Sequence, residues 1–128
     1  MNLPRLSLLA TALTFIGSGL MPLVSPQRLA AMVEFAASPV GLAEIRAAYG
    51  GLFLGTGTFF LLCAGRESWF RQGLAAQICL MGGFVAARTL SLAVDGMPSP
   101  VLAMLFACEA ALLGLGVVAL RWLGPAAE

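Results

Sequence analysis

The sequence predicts an all-α membrane protein: four transmembrane helices in an up-down-up-down bundle, with a short interfacial helix between helices one and two. Three observations lead there. The 128 residues are 60% hydrophobic and only 10% charged, where a soluble domain carries about 25% charged residues. The mean hydropathy is +0.96, and the apolar residues gather into four long stretches, each near the roughly 20 residues that cross a hydrocarbon core of about 30 Å. No stretch alternates polar and apolar residues with period two, which removes the strand alternative.

Residues 6–27 carry no charge, so the first helix spans about 5–24. Its start, one Arg before Leu6–Ile16, also has the look of a secretory leader. Gly17-Ser18-Gly19 is a poor imitation of a small-x-small cleavage site, so a retained helix is the expectation, with Pro22 tolerated near its outer end. Three Ser-Pro pairs then punctuate the chain: Ser25-Pro26, Ser38-Pro39 and Ser99-Pro100. Serine caps orphan backbone donors and proline suits the first helical position, so each pair marks a helix start. The first opens an amphipathic segment at 26–37, with Leu29, Met32, Val33 and Ala36 on one face, read as an interfacial helix. The second opens helix two at 39–64, and the third opens helix four at 100–123, closed by Gly124-Pro125. Helix three runs over 72–94 and meets a turn, Asp95-Gly96-Met97-Pro98. Short connections make successive helices antiparallel, giving one domain over 1–128.

Arginine placement orients the bundle. Arg5, Arg66, Arg71 and Arg121 fall on one side, and Arg28 is the one clearly exposed Arg on the other. The positive-inside rule then puts both termini and the 65–71 loop in the cytoplasm of a bacterial inner membrane. Other classes are disfavoured by what the chain lacks. A formal net charge of +1 without a basic block argues against nucleic acid. There is no His, so the commonest metal ligand and general base is missing, and no metal or cofactor is expected. Cys63, Cys79 and Cys108 lie singly in apolar runs and read as buried small hydrophobes.

Charges inside the apolar stretches mark the candidate site. At 1.5 Å per residue, Arg46 lies about 10 Å below Pro39, Arg88 about 10 Å below Asp95, and Glu109 about 13 Å below Pro100. An intramembrane charge costs roughly 2.5–3.5 kcal/mol on insertion scales, so such groups pair and face the interior. Arg88 with Glu109 is the expected pair. Arg46 either shares Glu109 or turns to Glu44 and the interface. Tyr49 follows Arg46 by three residues, beside Gly50 and Phe53, and Arg88, Ser91 and Asp95 line a second face. The Arg88–Glu109 pair fits a register lock as well as a working site. Gly50, Gly51 and Gly55 on helix two, Gly82 and Gly83 on helix three, and Gly114 and Gly116 on helix four are read as helix-packing positions.

The run Glu44-Ile45-Arg46-Ala47-Ala48-Tyr49-Gly50-Gly51, followed by Gly55 and Gly57, resembles the domain-of-unknown-function family numbered 4345. Ala87-Arg88, Asp95-Gly96-Met97-Pro98 and Glu109 continue the likeness over nearly the whole chain. The resemblance implies a four-helix membrane bundle and carries Glu44, Arg46, Tyr49, Arg88, Asp95 and Glu109 over as the family's polar signature. It implies no activity.

Three functions compete on the sequence. The leading expectation is a non-catalytic subunit or accessory protein that docks onto a larger membrane complex, or onto its own copies, through glycine-rich faces. The second is a binder or carrier of a small amphipathic or anionic molecule, such as a lipid or quinone, held by Arg46, Tyr49, Arg88 and Glu109. The third and weakest is an intramembrane enzyme using Glu109 as acid and base, because no nucleophile sits beside a base and no catalytic set is recognisable.

Overall fold

A computed structural model of the chain describes residues 2–96 and 99–124; Met97 and Pro98 of the expected turn and Pro125 of the expected helix stop lie outside them. The described residues are almost wholly helical and contain no strand. Helix α1 spans Leu3–Val24 and α2 spans Pro26–Met32. The next long element is composite: α3 (Pro39–Ile45), a π-helical turn (Arg46–Gly51) and α4 (Leu52–Gly65). A single 3₁₀ turn, Glu67–Trp69, leads into α5 (Phe70–Asp95), and α6 covers Pro100–Trp122. Four of these stretches are long and apolar enough to cross a membrane: Leu3–Val24, Pro39–Gly65, Glu67–Asp95 and Pro100–Trp122.

The helix ends show local chemistry at work. Asn2 Oδ1 accepts from the Arg5 N–H at 3.3 Å, which starts α1 at Leu3, two residues before the expected boundary. Ser38 accepts from Gly41 at 3.2 Å and Ser99 from Leu102 at 3.4 Å, as N-caps do. Ser25 differs: its side chain caps nothing. Its backbone N–H closes α1 on the Met21 carbonyl at 2.8 Å, while its carbonyl accepts from Arg28. One residue thus serves both helices through its main chain.

The amphipathic segment ends at Met32, five residues short of the expected 37. Glu34 has φ 56°, and Phe35 N–H reaches the Ala30 carbonyl at 2.7 Å while Glu34 N–H reaches Ala31 at 3.3 Å. That pair of bonds is a Schellman stop, normally made by glycine. The π turn is the other departure. Leu52 N–H bonds to the Ala47 carbonyl, five residues back, so one extra residue is wound into a helix expected to be regular α. Such bulges cluster at functional sites.

Contacts climb in opposite senses within two helical hairpins. Arg5 Nε donates to the Ala64 carbonyl at 3.1 Å. A β-carbon on Gly57 would stand 2.6 Å from Ile16 Cγ1 and 2.9 Å from the Ala12 carbonyl oxygen, and one on Gly50 would stand 3.0 Å from Leu23 Cα. The chain α3–π–α4 therefore runs antiparallel to α1. In the second hairpin, Arg71 bonds to the Gly124 carbonyl at 2.7 Å and Arg88 to Glu109, so α5 and α6 are likewise antiparallel.

Burial is concentrated where the arginines gather. Beyond Met81 no residue of α5 is fully buried, and before Leu112 none of α6 is. At that basic end Leu8, Leu74, Phe60 and Cys63 form a closed core. A β-carbon at Gly73 would stand 2.8 Å from Cys63 Cβ and 3.0 Å from Leu8 Cδ2, so three helices meet there at glycine distance. Toward the far end, α2, α3 and the π turn pack on α1, on α4 and on one another, with no comparable contact to α5 or α6 among the described residues. The hairpins are joined at one end and stand apart at the other. Only Cys63 has the expected burial; Cys79 and Cys108 face outward, because α5 and α6 have fewer neighbours to cover them.

Candidate functional site

An aromatic deck separates the packed half from the open half. Phe15 of α1 meets Phe53 of α4 edge-on at 5.1 Å, and Phe53 meets Phe84 of α5 at 6.5 Å. Tyr49, from the π turn, lies against Phe53 at 5.7 Å. Phe84 precedes Arg88 by one helical turn, so the ring layer forms the floor on which the polar residues stand.

Above the deck, Arg88 and Glu109 pair as the sequence predicts. Arg88 Nε donates to Glu109 Oε2 at 2.5 Å and Nη2 donates to Oε1 at 2.9 Å. This fork-to-fork geometry fixes both planes and is among the stronger side-chain interactions available. The side chains keep 26% and 14% of their exposure, so neither is sealed inside protein. Arg88 also lines a pocket of about 270 Å³ with Ser91, Leu92, Asp95 and Gly96 of the α5 end and Leu102 and Phe106 of α6. The turn-by-turn spacing of 88, 91, 92 and 95 puts all four on one face of α5. Tyr49, on the other hairpin, is half exposed.

The remaining polar positions lie apart from the pair. Glu44 on α3 and Arg46 at the first π position are both exposed. Among the described residues neither joins an ion pair; of the two alternatives for Arg46, sharing of Glu109 and pairing with Glu44 are both absent there, and the residue is exposed. Asp95 is exposed, at the last position of α5, within the pocket wall. Among the described residues no group of His, Cys, Asp and Glu is placed to hold a metal ion.

The glycine positions sort sharply. Gly50 is buried against Leu23, and a β-carbon on Gly116 would stand 3.0 Å from Gln77 Nε2. By contrast, one on Gly55, Gly83 or Gly114 would meet nothing within 4 Å, one on Gly51 only its own helix at 3.9 Å, and one on Gly82 only Leu113 at 4.0 Å. These five are not close-packing positions among the described residues. Gly19, Gly57 and Gly73 take that role instead, and the sequence reading missed them. Gly51 and Gly55 line an open apolar groove of about 520 Å³ between α4 and α5, with Phe59, Ala76 and Leu80.

A second polar cluster was also missed. Gln77, Ser7 and Thr11 are fully buried. Ser7 Oγ lies 3.1 Å from Gln77 Oε1 and 3.0 Å from its Nε2, which donates to the Leu112 carbonyl at 2.8 Å. Thr11 bonds back to the Ser7 carbonyl at 3.1 Å. Three helices are tied by one amide, and Gly116 leaves the room for it. The signal was present as a lone Gln in an apolar run opposite Ser and Thr four residues apart. This cluster has every polar atom satisfied and no opening, so it fixes helix register.

Comparison with known proteins adds one finding. The family model described as Domain of unknown function (DUF4345) matches residues 3–120. No curated protein and no solved structure matches the chain.

Proposed function

Since the chain belongs to the DUF4345 family, whose description assigns no activity, we propose a function from the site itself: a non-catalytic, membrane-embedded binder of a small amphipathic molecule. The polar head of that molecule sits at Arg88 and its tail lies along the apolar walls of the open half. One observation carries the reading. Arg88 faces a pocket in the open half of the bundle, with donors to spare. A guanidinium has five N–H groups, of which Glu109 engages two. No buried polar side-chain atom is left without a partner among the described residues, so the remaining donors of Arg88, a residue of the pocket wall, are accessible from outside the protein. In a hydrocarbon setting such donors are stabilised only by an acceptor that comes to them. Leu92, Leu102 and Phe106 supply apolar contact.

The membrane in this reading is the bacterial inner membrane, with both termini and the Glu67–Trp69 turn on the cytoplasmic side. The end carrying Arg5, Arg66 and Arg71 supports it: Arg66 lies over Trp69 at 4.6 Å and Arg5 over Phe70 at 5.7 Å, an aromatic and basic collar suited to the interface.

Native mass spectrometry of protein extracted gently from its host membrane tests the binding reading. The expected result is a chain carrying a defined small mass, lost in a folded Arg88→Ala variant. A bare chain whose spectrum is the same in both forms would remove the proposal. The docking function, in which the chain is a subunit of a larger complex, has its own support in the groove floored by Gly51 and Gly55, which nothing among the described residues fills. A stoichiometric membrane-protein partner in the same spectrum, with no small mass, would put that reading first.

A further inference from the structure

We propose that the cleft selects an uncharged head group that accepts hydrogen bonds, a carbonyl-bearing amphipath, and rejects carboxylates, because Glu109 cancels the charge of Arg88. The inference rests on the binding reading above and narrows its ligand. A lone intramembrane arginine would attract an anion. Here the guanidinium is already held by a carboxylate in both planes, at 2.5 and 2.9 Å, so the pair presents donors without net charge. The other charged groups near it do not restore a positive field. Asp95 stands in the pocket wall about two helical turns along the same face from Arg88, which makes Arg88, Glu109 and Asp95 together net negative. Arg28 and Arg46, the cations at that end of the facing hairpin, are both exposed and join neither carboxylate. A carboxylate entering the pocket would meet Asp95 in its wall and Glu109 on the guanidinium of Arg88, and juxtaposed like charges are costly. A neutral carbonyl meets the free Arg88 donors with no such penalty. The apolar pocket wall, Leu92, Leu102 and Phe106, fits the carbon skeleton behind the head.

Glu109 thus acts as the specificity determinant, and its removal should invert the preference. The experiment titrates the detergent-solubilised full chain with two probes of equal tail length, a decyl-substituted benzoquinone and decanoate, reading binding by calorimetry. The wild-type protein is expected to bind the quinone at least about tenfold tighter than decanoate, the scale of one charge-assisted hydrogen bond. Glu109→Gln, which keeps size and shape and frees the Arg88 charge, should gain about tenfold for decanoate. Wild-type protein that binds decanoate as tightly as the quinone overturns the inference and leaves the binding site standing. Binding of neither probe counts against the binding reading as well. The wild-type comparison decides the matter by itself if Glu109→Gln does not fold.

Discussion

At the residue scale the Arg88–Glu109 pair carries both stability and the candidate site. Removing one partner strands the other charge at membrane depth. Arg88→Ala or Glu109→Ala should each destabilise by roughly 2–4 kcal/mol, somewhat below the cost at a fully sealed site because both side chains keep some exposure. The double replacement Arg88→Met with Glu109→Leu should cost less than either single change, since two apolar chains leave nothing unpaired. Thermal unfolding in a fixed detergent measures the cycle, and additive losses would show that the two do not act as a unit. Gln77 is the contrasting residue. It is as buried as any apolar neighbour, yet its bonds to Ser7 and Leu112 are complete, so it holds register and offers nothing to a ligand. From the sequence, Arg88 and Glu109 were legible because a charge in an apolar run must find a partner. Gln77 was not, because a neutral amide raises no such demand until its surroundings are known.

Among the elements, the α1–α4 crossing depends on what is absent from Gly57. A β-carbon there would meet the Ala12 carbonyl and the Ile16 backbone nitrogen at 2.9 and 3.0 Å, and backbone atoms cannot rotate aside. Gly57→Ala should therefore destabilise by about 1–3 kcal/mol through overpacking. Gly55→Ala, two residues earlier and facing open space, should be neutral or stabilising by up to about 1 kcal/mol from helix propensity. Equal effects at the two sites would contradict the close crossing. The end of α2 makes a separate prediction. Glu34 holds a left-handed backbone at φ 56°, which costs a residue with a β-carbon about 1–2 kcal/mol. Glu34→Gly should raise the unfolding midpoint, by an amount corresponding to about 1 kcal/mol; an unchanged or lower midpoint would mean that the Schellman stop does not form. Helix existence was readable from apolar length and Ser-Pro punctuation. The π turn was not, since Arg46–Gly51 has ordinary helical composition and its extra residue answers to packing against α1.

For the whole molecule, the decisive feature is that two hairpins meet firmly at the basic end and stand apart at the other. Local opening costs least where few apolar contacts hold. Hydrogen exchange in mild detergent should find slow amides around Leu8–Phe15, Phe60–Ala64 and Phe70–Met81, with faster exchange in α3, the π turn and the first turns of α6. Uniform protection along each helix would argue against the open half. The proposed orientation has its own check: in a chain whose native cysteines are replaced, a cysteine at Glu67 should react with a membrane-impermeant thiol reagent only from inside-out vesicles, and one at Glu34 only from intact cells. The reverse pattern would overturn the placement of the termini.

The sequence by itself determined the number of spanning helices and the pairing of Arg88 with Glu109, because the cost of placing charge or a bare helix end in hydrocarbon depends on local composition. Tertiary structure alone decided which glycines sit at crossings, that Gln77 ties three helices, and that Arg46 stays apart from Glu109. Those outcomes depend on the distance between helix axes, set jointly by every side chain in the interface and by no residue's own spacing. The open half of the bundle, and with it the pocket at Arg88, follows from that shared geometry.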